Sequence, residues 1–147
     1  MSNSASHCFD ARTQPCAHLR EWLEKFCAET HTSAHNTWQL TLMLEELFVN
    51  SVKHGYPGLK ESEVMSEWPV WIELMHNTEG IQLRYEDAAI EFNPLDNIQP
   101  PDYSGPAENW RIGGLGLTMV AGIARNMQYE RTANRNRLSL TLPASEM

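Results

Sequence analysis

Glu45-Glu46-Leu47-Phe48-Val49-Asn50-Ser51-Val52-Lys53-His54-Gly55-Tyr56 is the stretch on which the reading of this chain turns. It closes a run, starting near Ala34, in which Leu40, Leu44, Leu47, Phe48 and Val52 share one arc of a helical wheel. Gln39, Glu46, Asn50 and Lys53 gather on the opposite side. Ser33 or Asn36 is placed to cap the start, and Gly55, Pro57 and Gly58 stop the helix near His54. Glu46 and Asn50, four apart, are neighbours on one face. A carboxylate there can act as a general base, and an amide oxygen can ligate Mg²⁺, which takes oxygen donors. For an isolated ExxxN, a solvated polar face is the better reading. Lys53 and His54 can meet a phosphate or simply form the helix C-terminus, with capping favoured for His54.

Toward the N-terminus, Ala17 to Glu29 has Leu19, Leu23, Phe26 and Cys27 at helical spacing, and His7 to Asp10 suits an edge strand. Toward the C-terminus, Val70 to Met75 and Ile81 to Asp87 alternate as strands, joined by a hairpin at Asn77 to Gly80. Parity puts Asp87 on the buried face with Ile81, Leu83 and Tyr85, and Arg84 on the other. A carboxylate pointing inward needs a partner, because an unpaired buried charge is costly. The exocyclic amine of adenine is one such donor; a backbone amide is another.

Asn93 to Arg111 carries Pro94, Pro100, Pro101 and Pro106 with no period, a loop long enough to suggest a lid. Gly113-Gly114-Leu115-Gly116 then runs into a helix with Leu117, Val120, Ala121 and Ala124 on one side. Amides at such a start can converge on an anion, and a tight structural turn explains the glycines about as well. A P-loop is excluded because Leu117 follows Gly116, and a dinucleotide fingerprint because Met119 stands where the third glycine belongs. Met127 to Arg131 and Arg137 to Leu142 read as a last strand pair. The order predicts an α+β, two-layer α/β sandwich, a mixed sheet covered by helices on one face, and one domain over residues 1–147.

The chain has 147 residues and a formal net charge of −8. That balance argues against a general nucleic-acid binder and against an anionic membrane surface. The charge is uneven: residues 45–108 hold 3 basic and 13 acidic groups, and residues 109–147 hold 5 and 2. The acidic block suits either a docking face for a basic partner or a solvated surface. Three cysteines without CxxC spacing indicate neither a disulfide framework nor a zinc site. No apolar leader or membrane-length run stands out, so a cytoplasmic protein is expected.

A helical ExxxN, an Asp at a strand end, a proline-rich lid and GGLGL occur in one order. That order resembles the GHKL or Bergerat-fold ATPases, and among them the anti-sigma-factor serine kinases of bacteria. The matching stretches are Glu45 to Tyr56, Asp87-Ala88-Ala89-Ile90-Glu91-Phe92-Asn93-Pro94-Leu95, Arg111-Ile112-Gly113-Gly114-Leu115-Gly116-Leu117, and Tyr129 to Leu142. The resemblance implies ATP and Mg²⁺ as ligands, with Asn50 holding the metal against the phosphates and Glu46 as general base. It implies Asp87 as adenine reader and Lys53 beside the nucleotide. The Arg111 to Leu117 stretch, with the amides around Gly114 and Gly116, would cradle the phosphates. Ala89 stands where the family usually has the glycine that lets the backbone pass close to the base.

The implied acceptor is a serine on a STAS-type anti-sigma-factor antagonist. A sigma factor is a second implied partner, and related proteins suggest a homodimer. The alternative is a non-catalytic Bergerat-fold module that switches partners with little or no nucleotide, a reading that Ala89 favours. A third reading, the ATP-binding part of a histidine kinase, is not expected, because the stretch before the ExxxN helix leaves no room for a phosphoacceptor-His hairpin.

Overall fold

In the computed structural model, residues 3–97, 105–106 and 115–145 are described. Strand β1 (Ser4–Asp10) leads into helix α1 (Cys16–Glu29) and helix α2 (Ala34–Asn50). The hairpin of β2 (Pro69–Asn77) and β3 (Gly80–Asp87) follows, then α3 (Leu115–Ala121) and the hairpin of β4 (Arg125–Thr132) and β5 (Arg135–Pro143). The strands form one sheet in the order β1-β2-β3-β5-β4.

The architecture is the expected α+β sandwich, but the sheet is not mixed. All four pairings among the described residues are antiparallel. The reason lies in the connections. A parallel neighbour needs a single helical crossover. Here two helices separate β1 from β2, so the chain re-enters the sheet in the reverse direction, and both later pairs of consecutive strands are hairpins. β3 and β4 do run the same way, with β5 inserted between them.

Period-two alternation sets the inner face. Val70, Ile72 and Leu74 of β2, Ile81, Leu83 and Tyr85 of β3 and Leu138, Leu140 and Leu142 of β5 point into one core. Leu19, Leu23, Leu40 and Leu44 close it from the helical layer, each at most 1% exposed. The opposite face stays polar. There Arg84 pairs with Glu73, as its parity requires. Glu86 is buried on that face beneath Arg137 and Arg135, whose guanidinium carbon lies 3.6 Å from the Trp71 ring centroid.

Ser33, not Asn36, caps α2, its hydroxyl accepting from the Asn36 amide at 3.1 Å. Such a cap contributes roughly 1 kcal/mol. The wheel is corrected at two places. Gln39, expected on the polar side, is buried with Asn36 under the end of β5. The Asn36 side chain donates to Gln39 Oε1 and the Pro143 carbonyl and accepts from the Ser145 amide. Helical geometry also does not run unbroken to His54. The α-helix ends at Asn50 and continues as a π turn, Ser51–Gly55, followed by a 3₁₀ turn, Tyr56–Gly58. The wider turn shifts the phase, so Ser51 is fully buried while Val52 is only partly covered. π turns of this kind concentrate at functional sites.

Candidate functional site

The π turn and the end of β3 face one another across a cavity of about 170 Å³. Leu47, Asn50, Ser51, His54 and Gly55 wall it from the helical side. Tyr85, Asp87, Asn136 and Leu138 form its floor from the sheet, and Ile90, Phe92 and Pro94 its outer wall. The helix face carrying Asn50 is therefore a cavity wall and not a solvated surface.

Asp87 is 8% exposed and points inward as parity requires. Its Oδ2 accepts from Ser51 Oγ at 2.7 Å, and its Oδ1 accepts from Asn136 Nδ2 at 2.8 Å and the Ala89 amide at 3.3 Å. With its one proton spent on Asp87, the Ser51 hydroxyl is left to accept from Tyr85 Oη at 2.8 Å. Tyr85 is held protonated by burial and secondarily by the Asp87 charge, both of which push its pKa well up. A chain Tyr85 to Ser51 to Asp87 thus feeds hydrogen bonds toward the carboxylate. Since a carboxylate accepts at about four positions, Oδ2 keeps acceptor capacity for a ligand.

The backbone around Asp87 is fixed from several sides. Tyr56 Oη accepts from the Ala88 amide at 2.8 Å and donates to the Pro69 carbonyl. Arg131 donates to the Ala89 carbonyl at 2.8 Å. Ala89 has no positive φ, so its methyl is carried without backbone strain. That methyl packs on Gly55, where an added Cβ would come within 2.8 Å of it. Contact, not a turn, makes residue 55 a glycine.

Glu46 sits one turn before Asn50 but does not line the cavity. Its Oε1 accepts from the Gly116 amide at 2.6 Å and its Oε2 from the Leu117 amide at 3.3 Å, so it ties α2 to the start of α3. Gly116 is pressed against α2, where a Cβ would meet the Leu42 carbonyl carbon at 2.8 Å. Lys53 is exposed and does not line the cavity, whereas His54 does. Arg111, Gly113 and Gly114, the Leu115 side chain and most of the proline-rich loop lie outside the described residues.

Glu46, Asn50 and Asp87 stand out from spacing and parity in the sequence, whereas Ser51, Tyr85, Tyr129 and Asn136 do not. Asn136 left a usable signal. It has the parity of Leu138, Leu140 and Leu142, so it is a polar side chain pointing inward at a strand start.

An antiparallel sheet backed by helices, with a buried Asp at a strand end facing a helical Asn across an apolar cavity, defines the Bergerat class of ATPase-like fold. The family model described as histidine kinase-like ATPase domain matches residues 9–142. The chain belongs to that family. Serine-protein kinase RsbW of Listeria monocytogenes is 30% identical over 84 residues, covering 55% of this chain and 50% of that protein. The protein of the same name from Listeria innocua is 29% identical over 84 residues, with the same coverage. The chain spans about half the length of the curated relatives it matches. No described helix is long and apolar enough to cross a membrane.

Proposed function

We propose that this chain is an ATP-binding anti-sigma regulatory factor that transfers the γ-phosphoryl group to a serine of a STAS-type antagonist in a partner-switching pathway. The observation that carries the reading is Asp87, a buried carboxylate held by Ser51 and Asn136 with acceptor capacity left on Oδ2, at the floor of an apolar cavity. That is the chemistry needed to accept an adenine amino group while the ring is buried against Leu47, Leu138 and Phe92. Asn50 lies on the same wall and offers one amide oxygen. That suits Mg²⁺, which keeps water and phosphate oxygens as most of its ligands and here would neutralise phosphate charge. Lys53 and the Arg111 to Leu117 stretch belong to the phosphate side of this reading, and the cytoplasm is its compartment.

In the transfer, Glu46 would take the serine proton as the hydroxyl oxygen bonds to the γ-phosphorus, with ADP leaving. Both Glu46 oxygens are engaged by α3 amides, so this role requires that contact to loosen. The same contact, with Ala89, favours the second reading, a binding module that sequesters a partner without chemistry. Calorimetry with Mg²⁺-ATP and a phosphoryl-transfer assay on the cognate STAS protein separate the two. Asn50→Ala abolishes metal-dependent binding on the first reading, and Glu46→Ala keeps binding while losing transfer. Absence of transfer by the wild type, with Mg²⁺-ATP bound weakly or not at all, selects the second reading, and absence of any heat with Mg²⁺-ATP rejects the nucleotide site as well.

A further inference from the structure

Asn136, at 9% exposure, uses every polar position of its amide. Nδ2 donates to Asp87 Oδ1 at 2.8 Å and to the Ile90 carbonyl at 2.7 Å. Oδ1 accepts from the Phe92 amide at 3.0 Å and from Tyr129 Oη at 2.6 Å. One side chain of β5 thus joins the carboxylate at the end of β3, the backbone of the cavity's outer wall, and β4. The Phe92 amide, which can only donate, and the Ile90 carbonyl, which can only accept, decide which way the amide faces, and the Tyr129 hydroxyl adds a second donor to Oδ1. Only with Oδ1 turned to those two donors does Nδ2 face Asp87. The reversed amide would set oxygen against the Asp87 carboxylate and the Ile90 carbonyl, and nitrogen against the Phe92 amide.

We infer that Asn136 is the positioning residue of the base subsite. It keeps Oδ1 of Asp87 occupied so that Oδ2 is the acceptor offered to a ligand, and it locks the Ile90–Phe92 wall to that carboxylate. The inference rests on the nucleotide reading above. It adds a residue to it: recognition of an amino purine over an oxo purine depends on a group that does not itself need to touch the base. An oxo purine would turn its carbonyl oxygen toward an acceptor and be repelled.

Asn136→Asp tests this directly. The variant places a second carboxylate at hydrogen-bond distance from Asp87, and two carboxylates so close retain one proton between them. While that proton is shared, Oδ2 stays open. As pH rises the proton is lost, the pair repels and the subsite comes apart. The other groups around the pair are Tyr85 and Tyr56, both held protonated by burial. Tyr129 has Glu91 and Arg131 in its surroundings, and His54 is on the cavity wall. The free ligand's phosphate ionisation is common to variant and wild type and cancels in the ratio of affinities.

ADP and GDP are titrated by calorimetry into wild type and Asn136→Asp between about pH 5 and pH 8. The wild type is expected to prefer ADP. The ratio of wild-type to variant ADP affinity is expected to rise about tenfold per pH unit once the shared proton is lost. Tyr129→Phe, which removes one donor that orients the amide, is expected to weaken ADP several-fold without new pH dependence. It serves as the test if Asn136→Asp does not fold. A ratio that is flat with pH overturns the inference, as does Tyr129→Phe binding ADP like wild type in that case. Wild-type protein that binds neither nucleotide overturns the nucleotide reading itself, an outcome distinct from the other two.

Discussion

Gly55→Ala should damage stability and the cavity together, and Ala89→Gly should repair much of it. A Cβ built on Gly55 lies 2.8 Å from Ala89 Cβ, where ordinary contacts begin near 3.4 Å, so the π turn and the end of β3 must part by about 0.6 Å. Neither side yields easily. The Ala89 carbonyl is held by Arg131 and its amide by Asp87, and Ser51, four residues before Gly55, is hydrogen-bonded to the same carboxylate. Overpacking of this kind costs about 1–3 kcal/mol. At about 2–4 °C per kcal/mol for a chain of this size, the melting temperature should fall by about 5 °C. Ala89→Gly alone should cost less, about 0.5–1 kcal/mol, from added freedom in the unfolded chain. In the double variant the methyl at 55 enters space left at 89, so the two costs should fall short of their sum by about 1–2 kcal/mol. Urea unfolding of all four proteins gives the cycle, and ADP titration of the same set shows whether the cavity follows. Gly55→Ala as stable as wild type, or strictly additive effects, would refute the claim that this contact sets the spacing of helix and sheet.

Three further outcomes follow from the same geometry. Gly116→Ala brings a Cβ to 2.8 Å from the Leu42 carbonyl carbon, which cannot move without α2, so α3 should undock and protease should cut near residue 115 faster than in wild type. Glu86→Ala strips the shared partner from Arg135 and Arg137 and should cost about 1–3 kcal/mol in urea unfolding. At alkaline pH, Tyr56 and Tyr85 hold their protons in the fold above the ordinary value of 10.0, whereas the unfolded chain releases them there. Their contribution is therefore complete below about pH 10 and is lost as pH rises beyond it, at up to about 1.4 kcal/mol per pH unit for each tyrosine. Tyr85→Phe should remove one of these two contributions and flatten the alkaline limb of a stability profile. An unchanged limb would show that Tyr85 ionises as freely folded as unfolded.

Local pattern carries far in this chain because its elements are strongly periodic. Period two in β2, β3 and β5 sets the sheet's inner face, and period 3.6 in α1 and α2 sets the layer that covers it. The parity of Asp87 alone predicts a buried carboxylate, and Arg84, three positions away and of opposite parity, is rightly excluded as its partner. The failures sit where a residue's environment comes from an element distant in sequence. Gln39 looks polar on its wheel and is buried because the end of β5 covers that flank of α2. The apolar spacing carries the helix on to His54, whereas a π turn intervenes where Ser51 reaches Asp87 and Gly55 meets Ala89.

Spacing along one element needs no knowledge of any other, so the α+β class, the helical ExxxN and the inward acidic residue are legible in the residues alone. The antiparallel order of the sheet, the engagement of Glu46 by α3 and the hold of Ser51 and Asn136 on Asp87 arise only on packing. These depend on groups 36, 49 and 70 positions apart, brought within hydrogen-bond range by the shared core. No periodicity encodes such a distance; it exists only once the layers have packed.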